Sequence, residues 1–137
     1  MNKHSKFFIF TLPPVLWALV IFLESSIPGN ELPPIPKIFG FDKIIHSAIY
    51  FIFCALSYRA LKYSDNPYFV KAAYWGALIL TILYGASDEF HQLFTVNRSC
   101  DIFDLLADTV GAAIFLSIVR MSKTKPRLKV LLERLTF

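Results

Sequence analysis

Eleven polar or ionisable side chains carry most of the chemistry that this chain could perform. Ten of them fall into three short groups beside apolar stretches, and Arg98 lies between the second and third groups. Carboxyl and imidazole groups can exchange protons with a substrate, and lysine and arginine can bind anions such as phosphate. The candidate residues are Asp42, Lys43, His46, Asp88, Glu89, His91, Gln92, Arg98, Asp101, Asp104 and Asp108.

The spacing of the first and last groups predicts one-sided helix faces. Asp42 and His46 are four residues apart, so they would share one face of a helix, with Tyr50 one turn further along. The last group has the spacing i, i+3 and i+7 and would form an acidic stripe. Its members are Asp101, Asp104 and Asp108.

The middle group contains the candidate acid–base residues of an enzyme, which are Asp88, Glu89 and His91. If a helix extends through Gln92, then Asp88, His91 and Gln92 share a face. No serine or cysteine stands in a nucleophile motif, and no His-x-x-x-His spacing indicates a metal site. Enzyme activity, a metal and a cofactor are therefore left open.

The remaining candidates suit ligand binding. Lys43, His46 and Arg98 would donate hydrogen bonds to a phosphate, and the acids would hold a divalent cation. Structural alternatives stay open, since Asp42 could cap a helix and Asp108 could pair with a histidine. The predicted binding set is Asp42, Lys43, His46, Gln92, Arg98, Asp101, Asp104 and Asp108.

Composition indicates that membrane helices must position these groups. The chain has 137 residues, of which 55% are apolar and 18% are charged. Its mean hydropathy is +0.53. These values exclude a disordered chain or a disulfide-rich secreted scaffold. Apolar stretches at about 7–23, 44–61, 70–87 and 102–119 predict an all-α transmembrane four-helix bundle.

The distribution of basic residues predicts the orientation of the bundle. With the N-terminus inside, eleven of the fourteen lysines and arginines are cytoplasmic. Both termini are then cytoplasmic, in a multi-pass protein of the plasma or inner membrane. The basic surplus faces anionic lipid, which argues against nucleic acid as a partner. The three polar groups share the outer face, and Asp108 lies about 10 Å below the surface, at 1.5 Å per helical residue.

Two parts of the chain are predicted. Residues 1–120 form the membrane domain, and residues 121–137 form a basic cytoplasmic tail. Four tail leucines fall at i, i+3, i+4 and i+7, which favours an amphipathic helix on the membrane surface, although a frayed tail is an alternative. These leucines are Leu128, Leu131, Leu132 and Leu135.

At its polar groups the sequence resembles the VanZ family of small membrane proteins, named for a teicoplanin-resistance protein. The resemblance covers about residues 10–119. It departs from the family pattern where Asp108 replaces the usual Asn and where residues 95–97 lack a Pro-Gly pair. The residues that carry it are Ser25, Ser26, Pro28, Asp42, Lys43, His46, Tyr84, Gly85, Asp88, Glu89, His91, Gln92, Phe94, Arg98, Asp101 or Asp104, Asp108 and Gly111.

The resemblance implies a role at the cell envelope, and some family members confer low-level teicoplanin resistance. The leading hypothesis is a site that binds or processes a lipid head group, a lipid-linked envelope precursor or a glycopeptide. A proton- or cation-coupled transporter is the alternative, and four short helices would then need a homo-oligomer. A third hypothesis is a non-catalytic accessory protein.

Overall fold

The computed structural model describes residues 2–32, 40–125 and 130. Within these residues every regular element is helical, in agreement with the all-α prediction. The elements are α1 (Lys3–Lys6), a π-helical turn (Phe7–Thr11), α2 (Leu12–Ser25), α3 (Phe41–Lys62), α4 (Pro67–Gln92) and α5 (Ile102–Ser122).

Four helical segments are long and apolar enough to cross a membrane, which confirms the predicted multi-pass class. They are His4–Ser25, Phe41–Lys62, Pro67–Gln92 and Ile102–Ser122. Their outward faces carry large apolar side chains, such as Phe8 and Trp75, which are 61% and 65% exposed. Surfaces of this kind are stable against acyl chains rather than water.

All four membrane-spanning helical segments are longer than the apolar stretches that predicted them. The third predicted segment ended at residue 87, whereas α4 runs through Gln92. Helix α4 begins after Asn66, whose side chain accepts a 2.9 Å hydrogen bond from the Tyr68 amide. Asp101 caps α5 in the same way, through a 2.9 Å bond from the Phe103 amide.

The first span contains two adjacent prolines. Pro13 and Pro14 lie in the first turn of α2, where missing amide donors are tolerated best. The π-helical turn Phe7–Thr11 directly precedes them. The departure from regular α-helix is therefore located just before the prolines.

The closest helix contact is between α3 and α5. A Cβ atom built on Gly111 would lie 2.1 Å from the Ser47 carbonyl oxygen, so only glycine allows this approach. The Ser47 hydroxyl also donates a 2.8 Å hydrogen bond to the Ala107 carbonyl. The small pair Ala107 and Gly111 thus brings the first and third polar groups together.

Helix α2 closes the bundle against α3 and α4. The Trp17 indole donates to the Ile49 carbonyl over 3.1 Å, and the Tyr84 hydroxyl donates to the Ala18 carbonyl over 2.5 Å. At the other end of the bundle, Lys6 forms a salt bridge with Asp65. The tail leucines from Leu128 onward lie outside the described residues, so the amphipathic tail helix stays a prediction.

Candidate functional site

The polar groups meet where α3 begins, α4 ends and α5 begins. We call this region the polar end. Lys43 lies at its centre, because its ammonium group contacts three carboxylates. The Nζ atom lies 2.6 Å from Asp104 Oδ1, 2.7 Å from Asp101 Oδ2 and 3.1 Å from Asp42 Oδ2. The Lys43 ammonium donates a hydrogen bond to Asp101 and thereby holds the pKa of that carboxyl below its ordinary value.

A second charged pair lies deeper in the bundle. His46 Nδ1 is 3.1 Å from Asp108 Oδ1, and His46 Nε2 is 3.7 Å from Asp104 Oδ1. Asp108 is fully buried, and its second oxygen has no hydrogen-bond partner among the described residues. A Cβ atom on Gly85 would lie 2.9 Å from that oxygen. Gly85 therefore makes room for the Asp108 carboxyl group beside the α4 backbone.

Three buried residues occupy the last turns of α4. Gln92 Nε2 donates to Asp88 Oδ2 over 3.3 Å, and Glu89 Oε1 lies 3.5 Å from the same nitrogen. The other Glu89 oxygen accepts a 2.7 Å hydrogen bond from the Asp101 amide. Glu89 thus fixes the start of α5 relative to the end of α4.

His91 does not join its two predicted acid–base partners. Its Nε2 atom lies 3.0 Å from the Ser26 hydroxyl, and its ring lies 4.7 Å from the Phe22 ring. Both contacts are with the end of α2 and the residue after it. Within the described residues no hydrogen bond or ion pair links His91 to Asp88 or Glu89, so the structure separates the candidate trio.

Arg98 pairs with a residue that the sequence analysis did not select. Its Nη2 atom donates to Glu24 Oε1 over 2.9 Å and to the Glu24 carbonyl over 3.0 Å, and its Nε donates to the Ile27 carbonyl over 3.3 Å. Arg98 therefore holds the end of α2. The only signal for Glu24 was its place directly after the first apolar stretch.

The loop that carries Arg98 turns without the Pro-Gly pair of the family pattern. Asn97 adopts a positive φ of 56°, which asparagine tolerates better than most residues. Gly29 packs against it so closely that a Cβ atom would lie 2.0 Å from the Asn97 carbonyl oxygen. The turn thus fixes the loop against the residues that follow α2.

A cavity of about 360 Å³ opens between α2, α3 and α4 at the polar end. One part of its wall is ionisable and the other is apolar. Tyr50 lies one turn beyond His46 and was not among the predicted site residues. It lines the cavity, and its hydroxyl group has no hydrogen-bond partner within the described residues. The cavity is lined by Ile21, Glu24, Leu32, Asp42, Ile45, His46, Ile49, Tyr50, Asp88, Arg98 and Asp104.

A family model for VanZ/LLP1 matches residues 8–123, which is most of the chain. The chain belongs to the VanZ/LLP1 family. No curated protein and no solved structure matches it. Of the motif residues on α3 and α4 in this VanZ/LLP1 protein, Asp42, His46 and Asp88 line the cavity. Tyr84 and His91 contact α2 instead.

Three acids at the polar end of this VanZ/LLP1 protein contact the Lys43 ammonium group, namely Asp42, Asp101 and Asp104. Across residues 2–32 and 40–125, no group of three or more His, Cys, Asp or Glu residues is arranged to hold a metal ion. Lys43 lies where the carboxylates converge, so its ammonium group supplies the charge that a divalent cation would otherwise provide.

Proposed function

We propose that this protein binds the polar head group of a lipid, or of a lipid-linked cell-envelope intermediate, at the outer face of the plasma or inner membrane. The mixed lining of the cavity carries the proposal. Asp88 and Asp104 provide hydrogen-bond acceptors, while Ile45 and Ile49 provide an apolar wall. A ligand with both a polar and an apolar part matches such a wall, and the volume lies in the usual range for ligand pockets.

The orientation is part of the proposal and rests on the basic residues. Four of those described lie at the end of the bundle opposite the cavity, namely Lys6, Arg59, Lys62 and Arg120. Because basic residues are enriched on the cytoplasmic side, the cavity would face outward and both termini would be cytoplasmic. The membrane domain would then be residues 1–120, with a cytoplasmic tail.

We expect a bulky residue inside the cavity to expel the ligand. Ile45 lines the cavity, whereas its neighbour Ile44 is 64% exposed on the outward face of α3. Ile45→Trp should lower the amount of co-purified lipid at least about tenfold, because the indole fills the space that a head group needs. Native mass spectrometry of the detergent-extracted protein measures this. Equal lipid retention by Ile45→Trp and the control Ile44→Trp would contradict the proposal.

Binding without turnover is the simplest form of this function. Asp88 and Glu89 are buried near the cavity and remain candidates for acid–base chemistry, while His91 contacts α2 instead. Lys43, Gln92, Asp101 and Asp108 would position the groups that line the cavity, one of which is His46. A role in teicoplanin resistance stays a prediction of the family resemblance, and a homo-oligomer stays a prediction of the transport alternative.

Proton-coupled transport is a second candidate, which one observation favours. His46 lies between Asp104 and the fully buried Asp108, so the three groups form a path for a proton into the bundle. For this function we expect Asp108→Asn to abolish proton flux into proteoliposomes that contain a pH-sensitive dye. Asp65→Asn, at the opposite end of the bundle, is the control. Unchanged flux in Asp108→Asn would remove that carboxyl from any proton path.

A further inference from the structure

We infer that the cavity at the polar end accepts a primary ammonium group, so that its ligand is an amine-bearing head group such as that of phosphatidylethanolamine. The inference rests on the proposed function, because it specifies the chemistry of the head group. Three observations support it. They are the acidic wall of the cavity, the buried Tyr50 hydroxyl group and the three carboxylates around the Lys43 ammonium group.

The charged part of the cavity wall is mainly acidic. Four carboxylates line it, from Glu24, Asp42, Asp88 and Asp104. Of the lining cations, Arg98 is already bound to Glu24 and to two carbonyl groups, and His46 is engaged with Asp108. Asp42 and Asp104 are paired with Lys43, and Glu24 is paired with Arg98. Among the described residues, Asp88 is therefore the lining carboxylate that is left to attract a further cation.

Asp88 is the wall carboxylate with the fewest charged neighbours. It is 7% exposed, and the neutral Gln92 amide donates a 3.3 Å hydrogen bond to it. Among the described residues, no salt bridge reaches Asp88 or Glu89. Two buried carboxyl groups without a cation at the end of a membrane helix favour a ligand that brings positive charge.

The Tyr50 hydroxyl independently indicates a ligand. Tyr50 lines the cavity, is 1% exposed, and its hydroxyl group has no hydrogen-bond partner among the described residues. A buried hydroxyl without a partner is unfavourable unless something bound to the cavity satisfies it. An ammonium group has three N–H donors, which could be shared between the Tyr50 oxygen and nearby carboxylates.

Lys43 shows how this protein holds an ammonium group. Three carboxylate oxygens surround its Nζ atom at 2.6, 2.7 and 3.1 Å. The cavity offers acceptors of the same kind, and its isoleucines would contact the methylene groups next to the amine. Trimethylated amines lack N–H donors and would leave the acceptors without hydrogen bonds, so a primary amine fits better than choline.

The test compares lipids that share acyl chains and differ only in the head group. The purified full chain is titrated in detergent with phosphatidylethanolamine, N-acetyl phosphatidylethanolamine and phosphatidylglycerol, and binding is followed by native mass spectrometry. We expect phosphatidylethanolamine to bind at least about tenfold more tightly than the other two lipids. Those two have no ammonium group, and the loss of one charged hydrogen bond has an effect of this size. Equal affinities would overturn the inference but not the proposed function, and no binding of any lipid would overturn both.

Free ethanolamine in a parallel titration distinguishes the source of the amine. If it displaces phosphatidylethanolamine only at concentrations far above those of the lipid, the acyl chains contribute to binding and the ligand is a lipid. If it binds as tightly as the lipid, the ammonium site stands and its ligand is a soluble amine, which overturns the lipid part of the inference.

Tyr50→Phe is a second test, which distinguishes a role of the Tyr50 hydroxyl group in ligand binding from a purely structural role. We expect it to weaken phosphatidylethanolamine binding about tenfold. The thermal unfolding temperature of the lipid-free protein should be unchanged or higher, because in the part of the chain that the structure describes the lost hydroxyl group has no partner. Tyr58→Phe, two turns further along α3, is the matched control and should bind normally. Normal binding by Tyr50→Phe would overturn the assignment of this hydroxyl.

Discussion

Gly111→Ala is expected to lower the free energy of unfolding by about 2–3 kcal/mol. Forcing an extra carbon atom into the packed interface is unfavourable, and the higher helix propensity of alanine offsets only part of that cost. The new Cβ atom would lie 2.1 Å from the Ser47 carbonyl oxygen and 3.0 Å from the Phe51 nitrogen. Both are backbone atoms, so no side chain can rotate away. Helices α3 and α5 must separate, and equilibrium unfolding in mixed detergent micelles measures the loss.

Gly76→Ala is the matched control for this prediction. Its Cβ atom would meet only the Leu61 Cδ1 methyl group, at 2.9 Å. A leucine methyl group moves aside by a small rotation, so we expect a change within about 0.5 kcal/mol. If both alanine variants are equally stable, then α3 and α5 do not approach each other through Gly111 as described.

Lys43→Met is expected to lower the free energy of unfolding by about 2 kcal/mol at neutral pH. Removing one partner of a buried ion pair costs about 3–5 kcal/mol. The smaller value applies because the Lys43 side chain is 29% exposed, although its partner Asp104 is only 14% exposed. Lys62→Met, at the exposed end of the same helix, should change stability little.

The stability difference between wild type and Lys43→Met should depend on pH. Lys43 lowers the pKa of Asp101 below its ordinary value of 3.8. A lowered carboxyl pKa stabilises the folded state above the unfolded pKa, and this contribution is lost as the pH falls through the folded pKa. The difference between the two proteins should therefore shrink below about pH 4. A difference that stays constant down to pH 3 would mean that Lys43 acts through packing alone.

The fold was largely predictable from the sequence, because membrane helices require long apolar stretches. Helix ends were less predictable. Hydropathy measures how favourably a segment transfers from water into lipid. A helix can extend beyond that segment where its polar side chains form hydrogen bonds. The residues from Asp88 to Gln92 are polar yet helical, since they contact one another and the start of α5.

The site was predictable as a group of residues but not as a set of pairs. Helical spacing placed Asp42 and His46 on one face, yet His46 turns to Asp108 and Asp104, while Asp42 contacts Lys43. Glu24 was missed because its partner Arg98 is distant in sequence. Such pairs depend on how α2 packs against the loop before α5, and spacing along one helix contains no information about that.

The hydrogen bond between the Trp17 indole and the Ile49 carbonyl gives the protein an internal optical reporter. Trp17 and Trp75 are its two tryptophans, and Trp75 lies on the outward surface, 65% exposed. Ile49 lines the cavity, so the Trp17 ring is one hydrogen bond away from the wall that a ligand would contact. Once the emission of Trp75 is removed by substitution, the remaining fluorescence reports on the docking of α2 in unlabelled protein.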